Sequence, residues 1–124
     1  MKLIEAITKI DHLKHNTFGK EEKIAWLSTL DGMVKRQIID THEGADAQPF
    51  FTGYDADTPG DTELLVPAPY DELYLWWLSA QIDYHNAELA KYNNSIALFN
   101  TGYSVYAELY NREHMPLGAK SSFF

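Results

Sequence analysis

The chain has 124 residues, of which 45% are hydrophobic and 14% aromatic. It is therefore long enough for one packed domain and too apolar for a disordered one. It has a formal net charge of -8 and no cysteine, which excludes a disulfide framework, a thiolate zinc site and a thiol nucleophile.

The charges are distributed unevenly along the chain. No Lys or Arg occurs between Arg36 and Lys91, whereas this stretch contains eleven acidic residues. The two ends carry all ten bases and the remaining seven of the 18 acids. Because affinity for nucleic acid comes largely from Lys and Arg, this pattern argues against specific nucleic-acid binding. We interpret the acidic middle either as a solubilising surface or as a surface that meets the basic end of another copy.

Two amphipathic helices are predicted in the first third of the chain. Apolar residues recur at steps of three and four over residues 2–13, and again over about residues 20–42. The stripe of the second helix consists of Ile24, Leu27, Leu30, Val34 and Ile38. Gly32 within it predicts either a close neighbour or a locally weak helix.

A long loop is predicted at residues 43–68, where acids, Gly, Pro and Thr dominate. Apolar residues stand on both sides of a turn-rich segment at residues 55–61. They are Phe50, Phe51 and Tyr54 before it, and Leu64, Leu65 and Val66 after it. Pairing of the two sides would give a short β-ribbon, which is marginal unless helices or another chain cover it. We therefore expect the loop to reorder when it meets a partner.

Two further helices are predicted after Pro67 and Pro69, with Asp71 and Glu72 in the first turn of the earlier one. Its expected core stripe is Leu73, Trp76, Trp77, Ala80, Tyr84 and Ala87. The stripe of the last helix is Tyr92, Ile96, Phe99, Tyr103, Tyr106 and Tyr110. The two stripes differ in phase, which predicts a break between His85 and Asn94, with asparagines as its punctuation. For Tyr103, Tyr106 and Tyr110 both a core role and a subunit interface remain open.

Residues 115–124 lack periodicity and are predicted to be a flexible C-terminal tail after one helical domain at residues 1–114.

No motif in the sequence requires an active site. Asp83, His85 and Glu88 could form a small ligand cluster, but they lack the paired Glu-x-x-His motifs of a carboxylate metal centre. Residues 55–66 resemble half of a calcium loop but have Val66 where a bidentate Glu is required. His12 and His15 are interpreted as exposed histidines. We therefore predict a protein that is not an enzyme and has no cofactor and no metal.

Four blocks of the sequence carry a resemblance in combination. They are LDGMVKRQIIDTHEG (residues 30–44), LLVPAPYDELYLWWLSAQID (residues 64–83), YNNSIALFNTGY (residues 92–103) and YNREHMP (residues 110–116). With them the chain resembles the head-tail connector, or head-completion adaptor, proteins of phages and prophages of Gram-positive bacteria, over about residues 21–116. Relatives often have Asn-Gly-Glu where this chain has Asn86, Ala87 and Glu88.

The resemblance implies an all-helical structural protein that forms a ring, usually a dodecamer, below the portal protein. DNA passes through its lumen, and a tail-side connector protein binds the other face. The implied locations are the cytoplasm of the bacterial host during assembly and the neck of the virion. Alternatives are a tail-completion or stopper protein, a general helical protein-binding module, or a metal-dependent enzyme using Asp83, His85 and Glu88.

The predicted fold is therefore all-α, a small bundle of about four helices with one long loop. A short β-ribbon could form within that loop. Neither a membrane nor a specific nucleic-acid site is expected. The candidate interface residues are Phe50, Phe51, Tyr54, Leu64, Tyr103, Tyr106, Tyr110 and Arg112.

Overall fold

A computed structural model describes residues 1–47 and 50–117. It confirms an all-α fold. The four helices are α1 (Leu3–Leu13), α2 (Lys20–Val34), α3 (Leu73–His85) and α4 (Leu89–Glu113). A π-helical segment, Lys35–Ile39, continues α2, and short 3-10 helices occupy Ala45–Ala47 and Tyr70–Glu72. No helix in the described ranges combines the length and apolar character needed to cross a bilayer.

Helix α3 lies at the centre of the bundle and packs against the other three helices. The predicted stripe was only partly right for α3. Leu73 and Ala80 are buried as expected, and Trp76 and Trp77 are half-buried. Tyr84, however, is 58% exposed, and Ala87 is exposed as well. The prediction placed the buried residues of α3 on one face of the helix. In the structure the other helices cover a second face of α3 as well. That face buries Tyr74, Leu78 and Ile82.

The stripe of α2 is confirmed, and that of α4 is confirmed except at Tyr92, which is half-buried and packs against the exposed ring of Tyr84 at 5.6 Å. All five predicted apolar residues of the α2 segment are buried. In α4, Phe99, Tyr106 and Tyr110 are buried, and Ile96 and Tyr103 pack against the core. These positions follow the three- and four-residue steps that place side chains on one face of a helix.

The loop does not contain the predicted β-ribbon within its described residues. Its backbone instead contacts α1, where Leu3 and Ile4 donate hydrogen bonds to the carbonyls of Thr62 (2.8 Å) and Gly60 (2.9 Å). These donors belong to the first turn of α1, whose N–H groups have no partner within the helix. Among the described residues, the two sides of the loop hydrogen-bond to α1 and α2 and do not pair with each other.

The start of the predicted tail is held against the end of the π-helical segment. Glu43 donates to the carbonyl of Met115 at 2.9 Å, and Leu117 donates to the carbonyl of Thr41 at 2.8 Å. Pro116 forms an isolated bridge with His42. The rest of the predicted tail, residues 118–124, lies outside the described residues.

The predicted break between His85 and Asn94 occurs at Asn86, Ala87 and Glu88. Glu88 donates to the carbonyl of Asp83 at 2.9 Å, and Ala87 donates to that of Tyr84 at 3.1 Å, which are the two bonds of a Schellman cap. Such a cap needs one left-handed residue. Here it is Ala87, with φ of 58°, and not one of the asparagines. The break therefore lies at the position where the resembling family often has glycine.

We expect Ala87→Gly to stabilise the fold by about 0.5–1 kcal/mol. An L-residue in the left-handed region costs roughly 1–2 kcal/mol, and the greater freedom of unfolded glycine offsets about 0.4–1 kcal/mol of the relief. Urea denaturation measures the change. Ala97→Gly, at an exposed position inside α4, should instead cost about 1 kcal/mol. A loss of stability in Ala87→Gly would contradict the assignment of strain to this residue.

Two glycines inside helices should respond oppositely to alanine. A Cβ on Gly102 would lie 2.6 Å from the Trp76 ring, whereas one on Gly32 would meet Phe51 at an ordinary 3.8 Å. Gly102→Ala should therefore destabilise by about 1–3 kcal/mol through overpacking. Gly32→Ala should stabilise by up to about 1 kcal/mol through helix propensity. Thermal and chemical denaturation of the two variants test this pair, and effects of the same sign would refute it.

Candidate functional site

A buried carboxylate joins the long loop to two helices. Asp31 of α2 is 0% exposed. Its Oδ1 accepts a hydrogen bond from the Tyr74 hydroxyl at 2.6 Å. Its Oδ2 accepts from the Tyr54 hydroxyl at 2.5 Å and from the backbone N–H of Leu65 at 3.0 Å. We call these residues, together with Val66, whose N–H donates to the Tyr74 hydroxyl at 2.7 Å, the Asp31 network.

The Asp31 network fixes both sides of the loop. Tyr54 and Leu65 lie on opposite sides of the turn-rich segment, and both donate to the same carboxylate. Ser28 adds a second anchor, because its hydroxyl accepts the backbone N–H of Tyr54 at 3.0 Å. The loop is therefore tied to α2 by side chains of that helix. Sequence reasoning missed Asp31, although an acid beside Leu30 and Val34 on a core stripe was a usable signal.

The candidate interface residues fall into two groups. Leu64, Tyr106 and Tyr110 are at most 8% exposed and belong to the core of the chain itself. The structure therefore places two of the three tyrosines of α4 in the core. The hydroxyl of the third, Tyr103, donates to Gln37 at 2.8 Å, and its side chain is half-buried.

The other candidates lie nearer the surface. Phe50 is 90% exposed, and Arg112 is exposed at the end of α4. Phe51 packs edge-on against Tyr54 with ring centroids 5.2 Å apart, and both are half-buried. Of these loop aromatics, Phe50 is therefore the one whose ring is left mainly in water, where its exposure is unfavourable.

The side chains of Asp83, His85 and Glu88, considered above as a ligand cluster, have separate partners and do not meet at a common site. The carboxylate of Asp83 is buried and accepts from Lys14 at 2.6 Å and from Ser95 at 3.1 Å. The ring of His85 stacks on Trp26 at 5.4 Å, and Glu88 pairs with Lys91 at 2.6 Å. Among residues 1–47 and 50–117, no group of three or more His, Cys, Asp or Glu side chains is arranged to hold a metal ion.

Two surface hollows border Trp76 of α3. Residues of α1 and α3 line one of them, and residues of α4 and the turn before α3 line the other. The ring of Trp76 lies directly over Gly102 of α4. On the α1 side of the ring is a hollow of about 340 Å³, and on the α4 side one of about 200 Å³. Glu72 lines both hollows.

A surface hollow lies beside α2, with an exposed aromatic ring at its edge. The exposed ring of Phe50 and the side chain of Arg36 line the same surface hollow, together with Thr29 and Met33. Arg36 is exposed and has no ion pair in the part of the chain that the structure describes.

Most exposed acids of the chain lie in its middle, and several bases are neutralised internally. Lys14, Lys23 and Lys35 pair with Asp83, Asp11 and Asp40 respectively. The exposed bases with no ion pair within the described ranges are Lys2, Lys20, Arg36 and Arg112. Few positive charges therefore remain available to a partner.

The stability of the fold should depend on the protonation of Asp31. Burial raises the pKa of its carboxyl above the ordinary value of 3.8, against the opposing effect of its hydrogen bonds. The folded chain thus binds this proton more tightly than the unfolded chain. The contribution to stability is greatest below the ordinary value and is lost as the pH rises through the folded-state pKa.

We expect Asp31→Asn to remove this pH dependence and to lower stability by about 1–3 kcal/mol, because an amide offers one oxygen to three donors. The free energy of unfolding, measured between about pH 4 and pH 7 for both proteins, isolates the effect of this group. Asp57→Asn, at an exposed position, is the matched control. An unchanged difference between wild type and Asp31→Asn across this range would contradict the prediction.

Comparison of the chain with protein-family models gave no match, and comparisons with curated proteins and with solved structures gave none.

Proposed function

We propose that this chain is a structural protein of a tailed phage or prophage, a head-tail connector that assembles as a ring below the portal. The proposal is carried by where the resembling sequence blocks lie in the fold. The block at residues 30–44 contains Asp31 and His42, and the block at residues 64–83 contains Leu65, Val66 and Tyr74. The blocks that carry the resemblance therefore include residues that connect the loop with α2 and α3. They are not confined to the apolar stripe of one helix.

The last block supports the same proposal. The block at residues 110–116 contains Asn111, whose side chain hydrogen-bonds the buried ring of His42. It also contains Met115 and Pro116, which meet the segment around His42. Two blocks far apart in the sequence are thus in contact, as expected if they are parts of one fold shared with the resembling family.

The charge distribution agrees with a ring through which DNA passes. Exposed acids dominate residues 37–90, and no base lies among them. A duplex carries one negative charge per about 1.7 Å of its axis, so exposed acids that face a lumen would repel it and prevent adhesion.

The test is assembly with the portal protein encoded by the same prophage. We expect the purified chain to bind isolated portal rings and to be detected in purified virions. Particles that lack the gene should show filled or leaking heads without tails in electron micrographs. Failure to bind portal rings, together with absence from virions, would overturn the proposal. Intact heads in the mutant particles would indicate a tail-completion role instead.

A further inference from the structure

We propose that residues 118–124 dock on their own chain, in two surface hollows that share Phe50 as a lining residue. The segment reads Gly-Ala-Lys-Ser-Ser-Phe-Phe, so it combines one basic side chain, Lys120, with two adjacent aromatic rings. The proposal concerns the isolated chain and does not depend on the connector function.

The segment starts from a fixed position at the edge of the first hollow. Leu117 donates a hydrogen bond to the carbonyl of Thr41 at 2.8 Å, and Glu43 donates to that of Met115 at 2.9 Å. These two bonds hold the chain beside the end of the π-helical segment. The first hollow, which we call the tail-exit hollow, has a volume of about 570 Å³ and is lined by Lys35, Asp40, residues 42–46, Phe50 and Leu117. Because Leu117 itself belongs to the lining, the residues that follow it need no long path to reach the hollow.

The tail-exit hollow carries negative charge that the described residues do not neutralise. Glu43 and Asp46 are exposed and have no ion pair among residues 1–47 and 50–117. The third acid of the lining, Asp40, is already paired with Lys35. The hollow therefore favours an occupant with a free positive charge and no acid. Lys120 is the only charged side chain of residues 118–124.

The second hollow, beside α2, favours an aromatic occupant. It has a volume of about 590 Å³ and shares Lys35, Asp40 and Phe50 with the tail-exit hollow. Phe50 is 90% exposed, and an apolar ring laid against it would remove surface of both groups from water. Arg36, which also lines this hollow, is suited to the same occupant, because a guanidinium group is attracted to the face of an aromatic ring.

The order of residue types along the segment matches the order of the two hollows. Extended chain spans at most about 11 Å in three residues and about 25 Å in seven. Lys120 lies three residues beyond Leu117, so its ammonium group remains near the tail-exit hollow. Phe123 and Phe124 lie six and seven residues beyond Leu117, which is far enough to pass Phe50 and enter the hollow beside α2.

The covalent link favours this segment over the same segment of another copy. A group joined to its site through a few residues has an effective concentration on the order of millimolar. A second copy would compete only at the concentration of the protein in solution. The occupant is therefore the segment of the same chain.

Disulfide formation between the segment and the hollow beside α2 tests the contact, because the chain contains no cysteine. A variant with Thr29→Cys and Ser122→Cys should form an intramolecular disulfide in glutathione buffer about tenfold faster than one with Thr101→Cys and Ser122→Cys, since the bond requires Cα atoms within about 7 Å. Thr29 lines the hollow beside α2, whereas Thr101 lines a hollow beside Trp76. The two threonines are matched, because both are exposed helical residues whose hydroxyl donates to the carbonyl four residues earlier at 3.1 Å.

Substitutions in the segment separate docking from mere proximity. In the variant with Thr29→Cys and Ser122→Cys, replacing both Phe123 and Phe124 with Ser should slow the disulfide by about tenfold. Lys120→Glu should slow it by about two- to fivefold, as expected for one exposed ion pair. Adding Glu43→Lys and Asp46→Lys to Lys120→Glu should restore the rate, and Lys20→Glu, at an exposed position of α2, should leave it unchanged. Mass spectrometry of the intact chain follows the reaction.

Two results would overturn the proposal. Rates that do not respond to the changes at Lys120, Phe123 and Phe124 would show that the hollows do not hold the segment. A disulfide between two chains, with a yield that rises with protein concentration, would show that the occupant is another copy. All of these measurements use the purified chain alone, so neither result alters the connector function, which is decided by binding to portal rings.

Discussion

The position of the long loop depends on one buried carboxylate. Asp31 has no exposed surface, and its three donors come from Tyr54 and Leu65 of the loop and Tyr74 of α3. A carboxylate taken out of water is costly unless hydrogen bonds compensate for the lost hydration. The loop must therefore bring both of its sides to α2. Once it does so, the carbonyls of Gly60 and Thr62 reach the first turn of α1, and the packing of α1 becomes linked to the same network.

The helices were predictable because their signal is local, whereas the loop was not. Steps of three and four identified α1, α2 and α4, and the phase change located the break after α3. The ribbon prediction was wrong because the partners of the loop backbone are Asp31 and Ser28 of α2 and the first turn of α1, which lie far away in sequence. The stripe of α3 was partly wrong because a central helix is covered on more than one side. Ala87 gave no composition signal, since alanine rarely adopts a positive φ.

The candidate site shows the same limit at the scale of single residues. Phe50 and Phe51 are adjacent and identical in type, yet one is exposed and the other packs against Tyr54. Hydrophobicity alone cannot separate them, because the difference arises from the anchors of the loop on α2. The tyrosines of α4 likewise required knowledge of the segment that packs against them. Tyr110 is in the core because the buried ring of His42 packs edge-on against it at 5.0 Å.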